Sequence, residues 1–212
     1  MNSASCIALD VGNCCIQVRT EECLRRIGVR SIEDVPPEFI NACGKFECGM
    51  ISASQWLAEF RRYTGGRFSD EKLLEAWIAI IGDEIDGMPE ALKEITDSGC
   101  RVIFFSDTSD IHIKHTILKM TLSVYVSGGI YSYEVGERKP SAKMFEAFEK
   151  KYGIPLLYTD DKDENISAGL QRGWNAVKFE SAKKILNEFR KIRKQMRSAA
   201  CGELAESEVL KF

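Results

Sequence analysis

Five polar side chains stand where this sequence passes from an apolar run, or a turn, into the next element. Asp10 ends IALD, Ser106 ends VIFFS, Asp160 and Asp161 end LLYTDD, and Lys139 lies in GERKP just ahead of a helical pattern. Brought together, three carboxylates, a hydroxyl and an ammonium have a definite chemistry. Carboxylate oxygens hold Mg²⁺, a hard cation that keeps positions open for water and phosphate. A carboxylate oxygen can also attack phosphorus and form an acyl phosphate. A lysine and a hydroxyl then offset the charge on the phosphoryl oxygens.

The elements that must position these groups follow from hydrophobic periodicity. Residues 6–10 form a continuous apolar run, as in a central parallel strand. Helical patterns dominate from there to about residue 87: TEECLRRIG, PPEFINACGKFECG, SASQWLAEFRRYTGG and SDEKLLEAWIAIIG. Ser52 and Gln55 have capping-box spacing. Trp56, Leu57, Phe60, Leu73, Leu74, Trp77, Ile78 and Ile81 recur at helical intervals and read as core. From residue 89 strands alternate with helices: PEALKEITDSG, RVIFF, SDIHIKHTILKM, VYVSGGIYS, SAKMFEAFEKKYG, PLLYT, ENISAGLQRG, NAVKF and SAKKILNEFRKIRKQM. The last helix has a basic outer face, and the tail after Arg197 is expected to fray. Alternation of this kind builds βαβ units on a parallel sheet. The expected fold class is therefore α/β, a Rossmann-like parallel sheet core with an inserted α-helical cap. The core takes residues 1–18 and 88–212, and the cap residues 19–87. In an open α/β sheet ligands bind at the carboxyl ends of the strands, where Asp10, Ser106 and the Asp160–Asp161 pair would meet beneath the cap.

Composition narrows the classes. The chain has 212 residues, 44% hydrophobic and 29% charged, with a formal net charge of −3. That charge balance argues against a nucleic-acid partner, which needs a basic face. There is no apolar run of the roughly 18 residues that would span a membrane. MNSASCIALD has neither a basic n-region nor an apolar h-region, so a signal peptide is not expected and a cytoplasmic location is. In that reducing setting the eight cysteines, Cys6, Cys14, Cys15, Cys23, Cys43, Cys48, Cys100 and Cys201, read as small apolar filler rather than disulfides. Cys14 and Cys15 follow Asp10 closely; a thiol beside a cation could be reactive, but packing is the simpler reading. His112 and His115 read as surface or internally satisfied histidines.

Taken in order, IALDVGN, VIFFSDT, EVGERKP and LLYTDDKDENISAG resemble the four signatures of the haloacid dehalogenase-like (HAD-like) hydrolase superfamily. The subgroup they are most similar to comprises α-D-glucose-1-phosphatase and the phosphatase domain of epoxide hydrolases; FECGMIS is similar to its cap segment. The resemblance spans the chain to about residue 180. It implies a Mg²⁺-dependent phosphatase of a small phosphorylated metabolite, a sugar phosphate among the candidates. By the same resemblance Asp10 is the nucleophile and a metal ligand, and the Gly12 carbonyl a second ligand. Asp161 is a ligand and Asp160 a ligand or a support. Ser106 and Lys139 hold the phosphoryl group, Asn13 and Asp107 line the substrate, and Asn165 braces the acidic loop.

Two positions depart from the pattern. Gly12 replaces the aspartate that protonates the leaving group in most of these phosphatases, a loss typically of about 10²–10⁴ in rate. A sugar 1-phosphate, whose anomeric hydroxyl is a better leaving group, is one account of that gap. Asp107 replaces an asparagine and adds negative charge beside an anion site. These departures keep open a second class, a catalytically degenerate protein that binds a phosphorylated ligand or a protein partner. A 2-haloacid dehalogenase uses the same nucleophile without a metal, and the acidic pair argues against it. A receiver domain uses similar residues but carries its acidic pair early in the chain. Oligomeric state is not legible in the sequence.

Overall fold

The computed structural model describes residues 5–115 and 117–209, with side chains of the last helix described to Ser198. In chain order the elements are β1 (Cys6–Leu9), β2 (Ile16–Val18), α1 (Thr20–Arg26), α2 (Pro37–Glu47), α3 (Ala53–Tyr63), α4 (Asp70–Ile78), β3 (Ile81–Glu84), α5 (Met88–Asp97) and β4 (Arg101–Ser106). There follow α6 (Asp110–His115), β5 (Val126–Tyr131), α7 (Ser132–Val135), α8 (Ala142–Tyr152), β6 (Leu157–Asp160), α9 (Asp163–Gln171), β7 (Ala176–Lys178) and α10 (Ala182–Val209). Short 3₁₀ turns cover Ile32–Asp34, Ile117–Lys119 and Thr121–Tyr125.

Five strands form a parallel sheet in the order β5-β4-β1-β6-β7. Leu9 pairs with Phe104 of β4 on one side and Thr159 of β6 on the other. The register therefore puts Asp10, Ser106 and Asp160 side by side at the carboxyl rim. Alternate residues of the strands feed opposite layers, as the pleat requires. Ile7, Leu9, Val102 and Phe104 pack with α5 and α10; Cys6, Ala8, Ile103 and Phe105 pack with Met144, Phe145, Phe148 and Trp174. A third cluster joins α1 to α4 around Trp56, Phe60 and Trp77. The Ser52–Gln55 capping box is formed at the start of α3.

Two expectations need correction. The helical reading up to residue 87 misses β3, which pairs antiparallel with β2 so that the two chain crossings between the sheet and α1–α4 run as one ribbon. Its partners are more than sixty positions apart, so no local periodicity reports the pairing. Fraying after Arg197 is not observed either; α10 continues to Val209. The Cys201 side chain lies outside the described residues.

Near the rim, α2 turns into α3 through Gly49, at φ 65°, and an added Cβ would stand 2.2 Å from the Tyr133 carbonyl oxygen. Only glycine allows that approach. Beside it Ser132 Oγ donates to the Glu47 carbonyl at 2.6 Å and accepts from the Thr108 amide at 2.9 Å. On the other flank His112 of α6 is buried, stacks on Trp77 with centroids 4.9 Å apart, and bonds the Trp77 carbonyl through Nε2 at 2.9 Å. Burial pushes its pKa down to about 4, against the help of that hydrogen bond. The unfolded chain therefore takes up a proton near pH 6.5 that the folded chain refuses until about pH 4. Stability should fall through that window as the pH is lowered, by roughly 3 kcal/mol for this group. Denaturant melts at pH 7 and 4.5, for the wild type and His112→Phe, check this: the wild type should lose about 2–3 kcal/mol more than the variant. Equal losses would refute it.

Candidate functional site

Asp10 leaves the end of β1 with its amide bonded to the Thr159 carbonyl at 3.0 Å. One carboxylate oxygen accepts from Lys139 Nζ at 2.8 Å. The same ammonium donates to Asp160 at 2.6 Å and to the Phe105 carbonyl at 2.7 Å. Its three protons are thus committed within a setting where the side chain is 1% exposed. Burial alone would lower the Lys139 pKa; Asp10, Asp160 and Asp107 outweigh it and keep the ammonium charged. Burial pushes Asp10 up to about 7, the Lys139 charge opposes this, and Asp160 and Asp161 add to it.

Asp160 is held differently. One oxygen accepts from Lys139 and from the Tyr158 hydroxyl at 2.7 Å; the other accepts from the Lys162 amide at 3.0 Å and Asn165 Nδ2 at 2.9 Å. Burial would raise this carboxyl, but the Lys139 charge and these hydrogen bonds hold it below the usual range. These four hydrogen bonds tie Asp160 to Lys139 and to the acidic loop. Asp161, half-buried, is the member of the pair left facing out. A carboxylate oxygen of Asp10, one of Asp161 and the Cys14 sulfur all lie within 4.8 Å of one another.

Asn13 and Asp107 each have internal partners. Asn13 adopts the left-handed backbone at φ 53°, which asparagine tolerates. Its Nδ2 donates to Asp161 at 3.2 Å and its Oδ1 accepts from the Val18 amide at 3.1 Å. It thereby ties Asp161 to the start of the β2–β3 ribbon. Asp107 accepts from the Lys139 amide at 2.9 Å, which ties down the carboxylate that the sequence left beside an anion site; it orients Lys139. Ser106, at the end of β4, is buried next to it.

Asp10, Asn13, Asp107, Lys139 and Asp161 line an open cavity of about 410 Å³ with Gly12, Glu47, Arg138 and Lys162. Glu47 comes from the end of α2 and pairs with Arg138 at 3.2 Å. Burial pushes it up to about 7, with Arg138 opposing and Asp107 adding to the rise. Arg138 adjoins Lys139 in sequence, but no motif marks it as part of the site. Two arginines of α3 are engaged elsewhere, Arg61 with Asp70 and Arg62 with Glu59.

No family model and no curated protein matches the sequence. Solved structures do match the fold. A HAD family enzyme from Bacteroides thetaiotaomicron, crystallised with magnesium and inorganic phosphate, superposes with a TM-score of 0.71 at 21% identity over 84% of this chain and 95% of its own. A predicted HAD-like family hydrolase from Porphyromonas gingivalis gives 0.67 at 19% identity over 84% and 92%. A HAD-superfamily hydrolase from Geobacter sulfurreducens gives 0.54 at 14% identity over 87% and 96%. The chain has the HAD-like fold.

Within this HAD-like rim the donor set can be tested against a cation. Asp10, Asp107, Asp160 and Asp161 crowd around one buried ammonium, an acidic excess that would repel an anionic ligand unless a cation joined them. Asp10 and Asp161 supply carboxylate oxygens, and Asn165 Oδ1 is buried with no partner among the described residues. Oxygen donors of this kind suit Mg²⁺. The third neighbour, Cys14, would favour a softer ion as a thiolate, but burial and the charge of Asp10 push its pKa far up and keep it a neutral thiol. Cys15 is likewise buried, its thiol donating to the Asp10 carbonyl at 3.3 Å. All seven cysteines whose side chains are described are free.

Among the described residues no helix is long and apolar enough to cross a membrane.

Proposed function

We propose that this chain is a Mg²⁺-dependent phosphatase acting on a small phosphorylated metabolite, with Asp10 as nucleophile and residues 19–87 as the cap over the site. The observation that carries the reading is the Asp10–Lys139–Asp160 network, buried at the rim with the Asp161 carboxylate beside it. The magnesium and phosphate bound to the Bacteroides thetaiotaomicron relative support it.

In the first step an Asp10 oxygen attacks phosphorus. The bond from phosphorus to the ester oxygen breaks, and that oxygen leaves with the electron pair and takes a proton. Gly12 cannot donate it; Glu47, a side chain lining the same cavity that burial pushes up to about 7, is the donor assigned here. In the second step water attacks phosphorus and returns a proton to the side chain that gave one up, the bond to Asp10 breaks, and inorganic phosphate leaves with the carboxylate restored. Lys139 orients Asp10 and offsets phosphoryl charge, and Ser106 donates to a phosphoryl oxygen. Asp10, Asp161 and the Gly12 carbonyl would hold Mg²⁺, which when bound offsets charge on phosphate and nucleophile.

Release of phosphate from p-nitrophenyl phosphate and a panel of metabolite esters, with Mg²⁺ or with EDTA, tests this. Turnover should require Mg²⁺ and fall to background in EDTA. Turnover equal in EDTA would overturn the metal's role. No release from any ester, by a folded protein that binds Mg²⁺, would favour the degenerate binder that Gly12 also suggests.

A further inference from the structure

Next to the polar cavity lies an apolar one of about 250 Å³. Its walls come from α1 to α4 and the segment between α1 and α2, with Leu24, Ile27, Val35, Phe39, Phe60 and Trp77 prominent. The two cavities share Gly12, Val18, Glu47 and Asp107, and the apolar one also reaches Ser106. They are neighbouring compartments, and the residues they share form the neck between them, beside the nucleophile.

We propose that the apolar compartment receives the leaving group, so that the substrates are phosphate monoesters of apolar alcohols or phenols rather than of sugars. This rests on the phosphatase reading above and names the substrate class of that same site.

Gly12 stands at the neck. A Cβ there would lie 3.1 Å from Val18 Cγ2, and Val18 lines both compartments. Any side chain at this position would crowd Val18 on that boundary; glycine does not. The missing side chain thus has a steric reading that does not depend on an acidic leaving group. Size is the second point. An apolar cavity of roughly 150 Å³ stays dry and takes benzene, so this one accommodates a ring with a short chain, or an alkyl chain of about eight carbons. Chemistry is the third. Beyond the neck the polar lining is Thr20, Thr108 and His112. His112 Nε2 is committed to the Trp77 carbonyl, and Trp77 Nε1 to Ser109 at 3.3 Å. The several hydroxyls of a sugar would be buried here with few partners, which is costly, whereas each methylene gains affinity.

Steady-state kinetics on ethyl, butyl, hexyl and phenyl phosphate and on glucose 1-phosphate read this directly. KM should fall about fourfold per added methylene up to the cavity's length, with kcat nearly constant, the pattern of binding equal in ground and transition states. Cys43→Phe, in the cavity wall and away from the nucleophile, should raise KM for hexyl phosphate about tenfold or more and leave ethyl phosphate unchanged. Val35→Phe serves the same purpose if Cys43→Phe does not fold. Calorimetry with methyl- and hexylphosphonate gives a readout independent of turnover, the longer chain binding more tightly. Hydrolysis of ethyl phosphate with no dependence on chain length, or glucose 1-phosphate outperforming hexyl phosphate in kcat/KM, would overturn the apolar compartment while leaving the phosphatase intact. Phosphonates that bind more tightly with chain length, with no ester hydrolysed, would keep the compartment and overturn the phosphatase.

Discussion

Asp10→Asn is expected to lower phosphate release by about 10⁴-fold or more while the protein stays folded. The large factor follows from the role assigned to the residue: an amide oxygen is a poor nucleophile toward phosphorus, and the carboxylate is also one of two that would hold the cation. The retained fold follows from the geometry. The amide oxygen introduced by this substitution could still accept from Lys139, where the carboxylate now does at 2.8 Å. The charge itself is disfavoured in the apo protein, since burial and the neighbouring carboxylates push Asp10 up to about 7. The melting temperature in EDTA should therefore stay within about 2–4 °C of wild type, the equivalent of roughly 1 kcal/mol in a chain of this size. Kinetics and a thermal melt on the same preparation check both halves. Full activity in Asp10→Asn, with loss in Cys14→Ala, would assign the chemistry to the thiol instead.

Much of this site is local in the sequence, and that part is legible. A strand followed by Asp10, Ser106 or Asp160 is an apolar run ending in a polar residue, and the α/β alternation says that such ends share one rim. What is decided by partners from elsewhere is not legible. Asp160 and Asp161 are adjacent carboxylates; only the placement of Lys139, Tyr158 and Asn165 shows that the first is tied to them and the second faces out. Asp107 looks like a misplaced charge until the Lys139 amide is found on it. Ile81 fits a helical stripe, yet it belongs to β3 because Val18 pairs with it. The apolar residues of α1–α4 read as core, and most are. A stripe that packs and a stripe that lines a cavity have the same spacing, so the compartment next to Gly12 could emerge only from the assembled helices.

Lys139→Met should be among the most destabilising single changes in the chain. The lysine makes three hydrogen bonds in a buried site, to Asp10, Asp160 and the Phe105 carbonyl, with its nitrogen 5.2 Å from the centre of the Phe105 ring. Methionine fills similar space and removes the charge, so packing changes little while two buried carboxylates lose their counter-ion. Breaking a buried pair in this way costs about 3–5 kcal/mol, or roughly 6–20 °C in melting temperature for a chain of this length. The pH dependence separates this cause from a packing fault. Without the ammonium, both carboxyls have folded pKa values above their unfolded ones, so the folded variant holds more protons and loses stability as the pH rises. Its deficit against wild type should be greatest near pH 8 and shrink toward pH 5, where the carboxyls can be protonated in place. Melts of both proteins in EDTA across that range provide the test. A deficit under about 1 kcal/mol, or one that does not vary with pH, would mean that Asp10 and Asp160 do not depend on Lys139 for their place in the fold.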